Sequence, residues 1–344
     1  MKTAKFYSAL NIQIEEIQQS KLDVGLVKVA VEWAGICGSD MHEFLAGPFF
    51  AKPKVTLGHE FSGTVVEVGA GVTKVSVGDR VVVEPFYSCE DCDACTEGLY
   101  NLCKKIECYG ISNDGGFAEF VTVRETKIFK IPEELSFEVA SLVEPTAVAL
   151  HAVRKSQLKS GDSCAIFGAG PIGLLLVQVA KVVGAKEIIV VELSEERRKK
   201  AIEMGATYVI NPENEKPVKA INRIVRGGVH VAFEAAGAES SFISALASLK
   251  HAGELMIVSL WEKSVSFTPN MLVIGEKKIN SSLGYRHNFQ EVIELLASGK
   301  INGNKLITKK IYIEDIVKKG FEKLKNDKSQ CKILVTPIEN NLEA

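Results

Sequence analysis

Residues 163–192 read SCAIFGAGPIGLLLVQVAKVVGAKEIIVVE. A short apolar strand runs into a glycine turn, then an apolar helix, then a second strand ending on an acid. Within GAGPIG (168–173), Gly168 permits the tight turn and Gly170 lets backbone approach a pyrophosphate. Pro171 and Ile172 open the helix, whose N-terminus receives the phosphate, and Gly173 lets that helix pack on the strand. Glu192 follows Gly173 by nineteen positions, where a carboxylate binds ribose hydroxyls. The order strand, helix, strand, acid predicts a dinucleotide site rather than a plain glycine-rich turn. An acid there repels a 2′-phosphate, so NAD is favoured over NADP. Ser194, Arg197 and Arg198 argue the other way, because such groups accept that phosphate. Arg197 is kept as a candidate cofactor contact; Arg198 reads as part of a solvated helix face.

Working outward, SEERRKKAIEMG (194–205) is a helix with acids early and bases later, as the helix dipole prefers. ATYVINP, VHVAFEAAG, GELMIVSL and KKINSSLGY continue the strands. Residues 152–286 therefore read as an α/β doubly wound parallel sheet. The preceding residues 1–151 have a different rhythm. LVKVAVEWAGI, FSGTVVEVG and DRVVVEPF alternate or run with β-branched residues between glycine turns, as in a sandwich or partly open barrel. NFQEVIELLASGKI is an amphipathic helix and KILVTP a last strand, so the segment 287–344 is expected to return to the first domain.

The chain has 344 residues, enough for two domains, with 46% hydrophobic and 24% charged residues. Its net charge of −2, from 41 basic and 43 acidic residues, leaves no footprint for nucleic acid or an anionic membrane. The longest apolar run, around 164–193, is interrupted by glycines, Gln178, Lys181 and Glu187, which argues against a membrane span. No targeting segment is visible, and a cytoplasmic location is expected.

Four of the eight cysteines crowd into CEDCDACTEGLYNLC (89–103). In a reducing compartment, Cys89, Cys92, Cys95 and Cys103 at this spacing predict a closed, four-thiolate structural zinc site. The alternatives are a disulfide pair or unrelated thiols. A nucleic-acid-binding ribbon is disfavoured by Glu90, Asp91, Asp93 and Glu97.

GICGSDMH (35–42), GHEFSG (58–63) and VEPTAVALHAV (143–153) complete a pattern that resembles the zinc-dependent medium-chain alcohol and polyol dehydrogenases over essentially the whole chain. VEPTAVALHAVRKS with IIVVELSEER is most similar to the 2,3-butanediol dehydrogenase branch. The resemblance implies a GroES-like β-rich catalytic domain beside a Rossmann domain, and two zinc ions per chain with NAD. It implies Cys37, His59 and Glu144 as ligands of a catalytic zinc, with Glu60 beside the metal. Asp40 would orient the ligand histidine, and Ser39 and His42 would relay the alcohol proton towards solvent. A homodimer or homotetramer built by edge pairing of the nucleotide domains is implied as well. One thiolate and one carboxylate neutralise the dication, which suits a Lewis acid that lowers the pKa of an alcohol.

The substrate class so implied is a secondary alcohol or vicinal diol, with 2,3-butanediol and acetoin leading. Only sixteen residues separate His42 from His59, shorter than is usual in the butanediol branch, so sorbitol-type polyols or L-threonine stay as alternatives. A non-enzymatic nucleotide-binding relative is the more distant alternative, opposed by the intact ligand set. Phe49, Phe50 and Trp261 read as pocket walls or as loop packing, and Glu60 as a metal neighbour or as a cap or ion-pair partner. Cys164 reads as a core hydrophobe; His151, His230, His251 and His287 read as packing or surface residues.

Overall fold

The computed structural model describes residues 1–19 and 21–342, which form two compact units. One comprises Pro145–Asn288 with Lys300–Lys305. Its sheet has six strands: β1 (Ser163–Phe167), β2 (Glu187–Val191), β3 (Tyr208–Ile210), β4 (Val229–Glu234), β5 (Leu249–Ile257) and β6 (Lys278–Ser281). All neighbours pair in parallel, in the order β3-β2-β1-β4-β5-β6. Every residue of β1 is buried, the signature of a central strand covered on both faces. The strand order reverses between β1 and β4, and a crevice outside the carboxyl ends of these strands is the usual ligand position in such sheets.

Gly168 ends β1 with φ +97°, a conformation that other residues resist. The helix Pro171–Val182 then starts with proline in its first turn and buries Gly173 to Ala180. A Cβ on Gly173 would stand 1.9 Å from the Gly168 carbonyl oxygen, so only glycine lets the helix begin this close to the strand.

The other unit comprises Met1–Glu144, Phe289–Gly299 and the chain from Leu306 onward. Its largest sheet is built around the long strand Leu26–Gly35, which pairs antiparallel with Glu60–Val68, Phe120–Arg124 and the late strand Lys332–Thr336. Phe6, Val29, Phe61, Phe117 and Phe321 fill the core beneath it. The helix Phe289–Ala297 buries Phe289, Val292, Ile293 and Leu296, a stripe at helical spacing. Among the described residues no helix is long and apolar enough to cross a membrane.

Candidate metal and dinucleotide sites

The four cysteines of 89–103 converge. Sulfur–sulfur distances are 3.5 Å for Cys92–Cys95 and Cys89–Cys103, and 3.9 Å for Cys89–Cys95 and Cys92–Cys103. A tetrahedron with metal–sulfur bonds of about 2.3 Å has edges of about 3.8 Å, so the spacing fits a single ion. None of the eight cysteines is in a disulfide. Backbone amides of Cys89 and Lys105 point at the Cys103 sulfur, at 3.4 and 3.3 Å. Backbone hydrogen bonds from Lys104 and Cys95 bring the Cys92 thiol down to about 6, whereas Asp91 beside Cys89 pushes that thiol up to about 12. The lobe is short turns and one-turn helices, including Asp93–Thr96, with Gly98 at φ +76°.

Cys37, His59 and Glu60 form the second cluster, with one ligand atom from each lying within 4.8 Å of the others. Cys37 caps the helix Gly38–Ala46, and its N–H donates to Asp40 Oδ2 at 2.8 Å. His59 is buried; its Nε2 lies 3.3 Å from Ser39 Oγ, and its Nδ1 lies 3.6 Å from Asp40 Oδ1, longer than a hydrogen bond. Burial works against a proton on His59, yet the charges of Asp40 and Cys37 raise its pKa well above the ordinary value. The same anionic surroundings favour a divalent cation. His42 is exposed one turn further along the helix that starts at Cys37.

Glu60 is completely buried, and Lys332 Nζ lies 2.5 Å from its Oε2 while also donating to the Ile36 carbonyl at 3.1 Å. Glu60 Oε1 has no hydrogen-bond partner, an orphan that a neighbouring cation would satisfy. Glu144, buried in the first turn of the helix Val143–Lys155, is outside the close triad. Its charge nevertheless acts on Lys332, together with those of Glu60 and Cys37, and the three outweigh burial to hold the Lys332 pKa above normal. Cys108 borders the same group: burial pushes its thiol up to about 12, with Glu144, Asp40 and Cys37 adding to the shift.

Lys332 escaped the sequence reading because KILVT scans as an ordinary apolar strand with a lysine at its mouth. Tertiary pairing explains its place. Gly35 registers with Glu60 on one side and with Leu334 on the other. A Cβ on Gly35 would stand 2.3 Å from Glu60 Oε2 and 3.2 Å from Lys332 Cδ, so the glycine makes room for the ion pair. Glu43 was also missed. Its buried carboxylate accepts the amides of Phe49, Phe50 and Ala51 at 2.8, 2.7 and 3.1 Å, fixing a loop that exposes Phe49 and Phe50 edge to face.

In the parallel sheet, Glu192 faces the glycine-rich loop. Ala169 N donates to its Oε2 at 2.7 Å and Ser194 N to its Oε1 at 2.9 Å, leaving each oxygen a further lone pair for a ribose hydroxyl. A Cβ on Gly170 would meet nothing within 4 Å, so the space at this helix N-terminus is open. Ser194 caps the helix Glu195–Met204 by accepting from Arg197 N. Arg198 departs from expectation. It does not simply face solvent; its guanidinium donates to the carbonyls of Glu192 and Leu193. Helical side chains lean back over the preceding turn, and here that turn carries two free carbonyls.

A buried acidic cluster able to hold a Lewis-acid metal, in a chain that also carries a dinucleotide loop, is the equipment of metal-assisted hydride transfer. Comparison with known proteins gives that class its family. Residues 23–133 match the alcohol dehydrogenase GroES-like domain and residues 171–298 match the zinc-binding dehydrogenase domain. The chain belongs to the zinc-dependent alcohol dehydrogenase family, with a GroES-like unit and a Rossmann unit. It is 46% identical to the (R,R)-butanediol dehydrogenase of Bacillus subtilis, across 98% of this chain and 100% of that protein. It is 36% identical to the sorbitol dehydrogenase of the same organism, across 98% and 97%. The crystal structure of 2R,3R-butanediol dehydrogenase from Bacillus subtilis superposes with a TM-score of 0.93, covering 98% of this chain and 99% of that one.

Proposed function

We propose that the protein is an NAD-dependent dehydrogenase of secondary alcohols and vicinal diols that interconverts 2,3-butanediol and acetoin. The observation that carries this is the Cys37–His59–Glu60 cluster, with His59 and Glu60 buried and one carboxylate oxygen unpartnered, in a chain 46% identical to a butanediol dehydrogenase. Residues 1–151 and 287–344 would carry the metal chemistry and 152–286 the dinucleotide.

Cys37, His59 and Glu144 would hold the catalytic zinc, and Cys89, Cys92, Cys95 and Cys103 the structural one. When bound, the metal supplies Lewis acidity at the substrate oxygen and the nicotinamide supplies the hydride acceptor. Asp40 fixes the Cys37 backbone through its N–H and sets a negative charge 3.6 Å from the His59 ring, which it would orient as the ring binds the metal. Ser39, beside His59, takes the alcohol proton, and exposed His42 passes it to solvent. Glu60, neutralised on one oxygen by Lys332, keeps the other for the metal or a substrate hydroxyl. With NAD bound, oxidation of the alcohol to a ketone would give up a hydride to the nicotinamide and, through Ser39 and His42, a proton to water.

Gly168, Gly170, Pro171, Ile172 and Gly173 would cradle the pyrophosphate. Glu192 would bind the ribose hydroxyls and select NAD, with Arg197 near the adenosine end. The protein would act in the cytoplasm as a homodimer or homotetramer. The 36% identity to a sorbitol dehydrogenase keeps a polyol substrate as the second reading.

A panel of 2,3-butanediol, acetoin, 2-butanol, sorbitol and L-threonine, assayed with NAD and NADP, tests the proposal. A site built to satisfy a second oxygen rejects an analogue lacking it, so butanediol should exceed 2-butanol in kcat/KM. Sorbitol or threonine exceeding butanediol would overturn the substrate; no alcohol-dependent reduction of either nicotinamide, with two zincs per chain present, would overturn the enzyme.

A further inference from the structure

We propose that Glu234 is a positioning residue that sets the nicotinamide half of the dinucleotide crevice, by tying the loops after β4 and β5 into one wall. The proposal rests on the dinucleotide reading above. Glu234 is the last residue of β4, registered beside Phe167, the residue before Gly168. Its side chain is completely buried.

The carboxylate gathers three pieces of chain. Oε1 accepts from Ala236 N and Gly237 N, both at 3.0 Å, and lies 2.6 Å from Ser241 Oγ, whose single proton also reaches Ala238 O. Oε2 accepts from Ser259 Oγ in the loop after β5, and more weakly from Gly237 N at 3.3 Å. The Glu234 carbonyl accepts from Val258 N at 2.9 Å. One residue therefore binds the turn after β4, the start of the helix Glu239–Ala247 and the loop after β5. A group that served only packing would be apolar here, since burying a carboxylate is costly unless donors meet it.

The wall so formed leaves no slack against its neighbours. A Cβ on Gly168 would meet Ala235 O and Ala236 Cβ at 3.0 Å each, and one on Gly237 would meet Leu260 O at 3.1 Å. The ends of β1, β4 and β5 thus meet around Glu234. In a doubly wound sheet the half containing β1 to β3 takes the adenosine nucleotide, here with Glu192, and the half containing β4 to β6 takes the other nucleotide. Moving the loops after β4 and β5 should loosen the nicotinamide half and spare the adenosine half.

The test is direct binding to the full-length zinc-loaded protein: NADH by fluorescence, and ADP-ribose, which lacks the nicotinamide, by calorimetry. Glu234→Ala should raise the NADH Kd thirtyfold or more, and Ser259→Ala three- to tenfold, with the ADP-ribose Kd within twofold in each. Glu234→Gln should stay near the unmodified protein, because its amide oxygen keeps the Oε1 donors and Ser259 can turn to accept from its nitrogen. If Glu234→Ala does not fold, Ser259→Ala decides, since it removes only the tie between the loops. An unchanged NADH Kd, or equal losses for NADH and ADP-ribose, would overturn the proposal while leaving the dinucleotide reading intact. An unmodified protein that binds neither ligand would overturn both.

Discussion

The two cysteine-containing sites sit in the same unit and are built on opposite plans. The lobe of Cys89, Cys92, Cys95 and Cys103 is assembled from fifteen consecutive residues, with four equivalent sulfurs at tetrahedral separations. The Cys37 cluster takes one thiol, one imidazole and one carboxylate, with a lysine 272 positions from that carboxylate. The first arrangement would close on an ion. The second mixes ligand types and leaves a carboxylate oxygen unpartnered, the plan that the proposed function assigns to an open site. On that reading, local construction gives a staple and long-range construction gives chemistry.

The sharpest way to break that comparison is Cys37→Ser. Losing a Lewis acid worth roughly 5–6 kcal/mol should cut kcat/KM by about ten-thousandfold, with zinc falling from two ions to one per chain and Tm little changed. Elemental analysis with steady-state kinetics reads both; retained turnover would erase the division of labour. Cys92→Ser should show the reverse emphasis. Its main effect should be on stability, about 5 kcal/mol, or roughly 10 °C in Tm by calorimetry. An unchanged melting curve would show that the lobe is not a staple.

Lys332→Met tests whether the open site depends on its remote partner. It strands Glu60 as an unpaired buried charge and should cost about 3–5 kcal/mol in denaturant unfolding. Adding Glu60→Gln should recover much of that loss. If the single variant is as stable as the parent, the ion pair is incidental.

The dinucleotide loop extends the comparison, because it too is built locally. Glu192→Ser removes hydrogen bonds worth about 1.5–3 kcal/mol, so the NAD-over-NADP ratio in kcat/KM should fall about ten- to a hundredfold. Comparable use of both cofactors by the unmodified enzyme would transfer the selectivity to Ser194 and Arg197.

The smallest expected effect concerns His151, a buried imidazole without a partner for Nε2. Burial, aided by the charges of Arg286, Lys155 and Arg154, pushes it down to about 4. The unfolded chain then takes up a proton near pH 6.5 that the folded chain refuses. Its contribution is present above that pH and is lost as pH falls towards 4. Discounted for screening, the loss is about 1–2 kcal/mol. His151→Leu should flatten the fall in Tm between pH 7 and 5 relative to the parent; parallel curves would count against it.

What could be read directly from the chain follows the same division. The glycine loop, Glu192 and the four cysteines were legible because their geometry is set by spacing within a few turns of backbone. Cys37, His59 and Glu60 could be grouped only through resemblance, since no local rule brings Cys37 to the other two; Glu144, expected with them, lies outside the close triad. The Lys332–Glu60 pair, the Glu43 grip on the Phe49 loop and the Glu234 clamp left no sequence signal. Each joins a charged side chain to groups brought near by strand pairing or a returning loop, as when Lys332–Thr336 enters the sheet beside Gly35. Sequence by itself determined which chemistry the chain can hold, because residue type and short spacing fix ligand sets. Only tertiary structure decided which charges are buried against one another, because burial and pairing depend on neighbours that the linear chain does not specify.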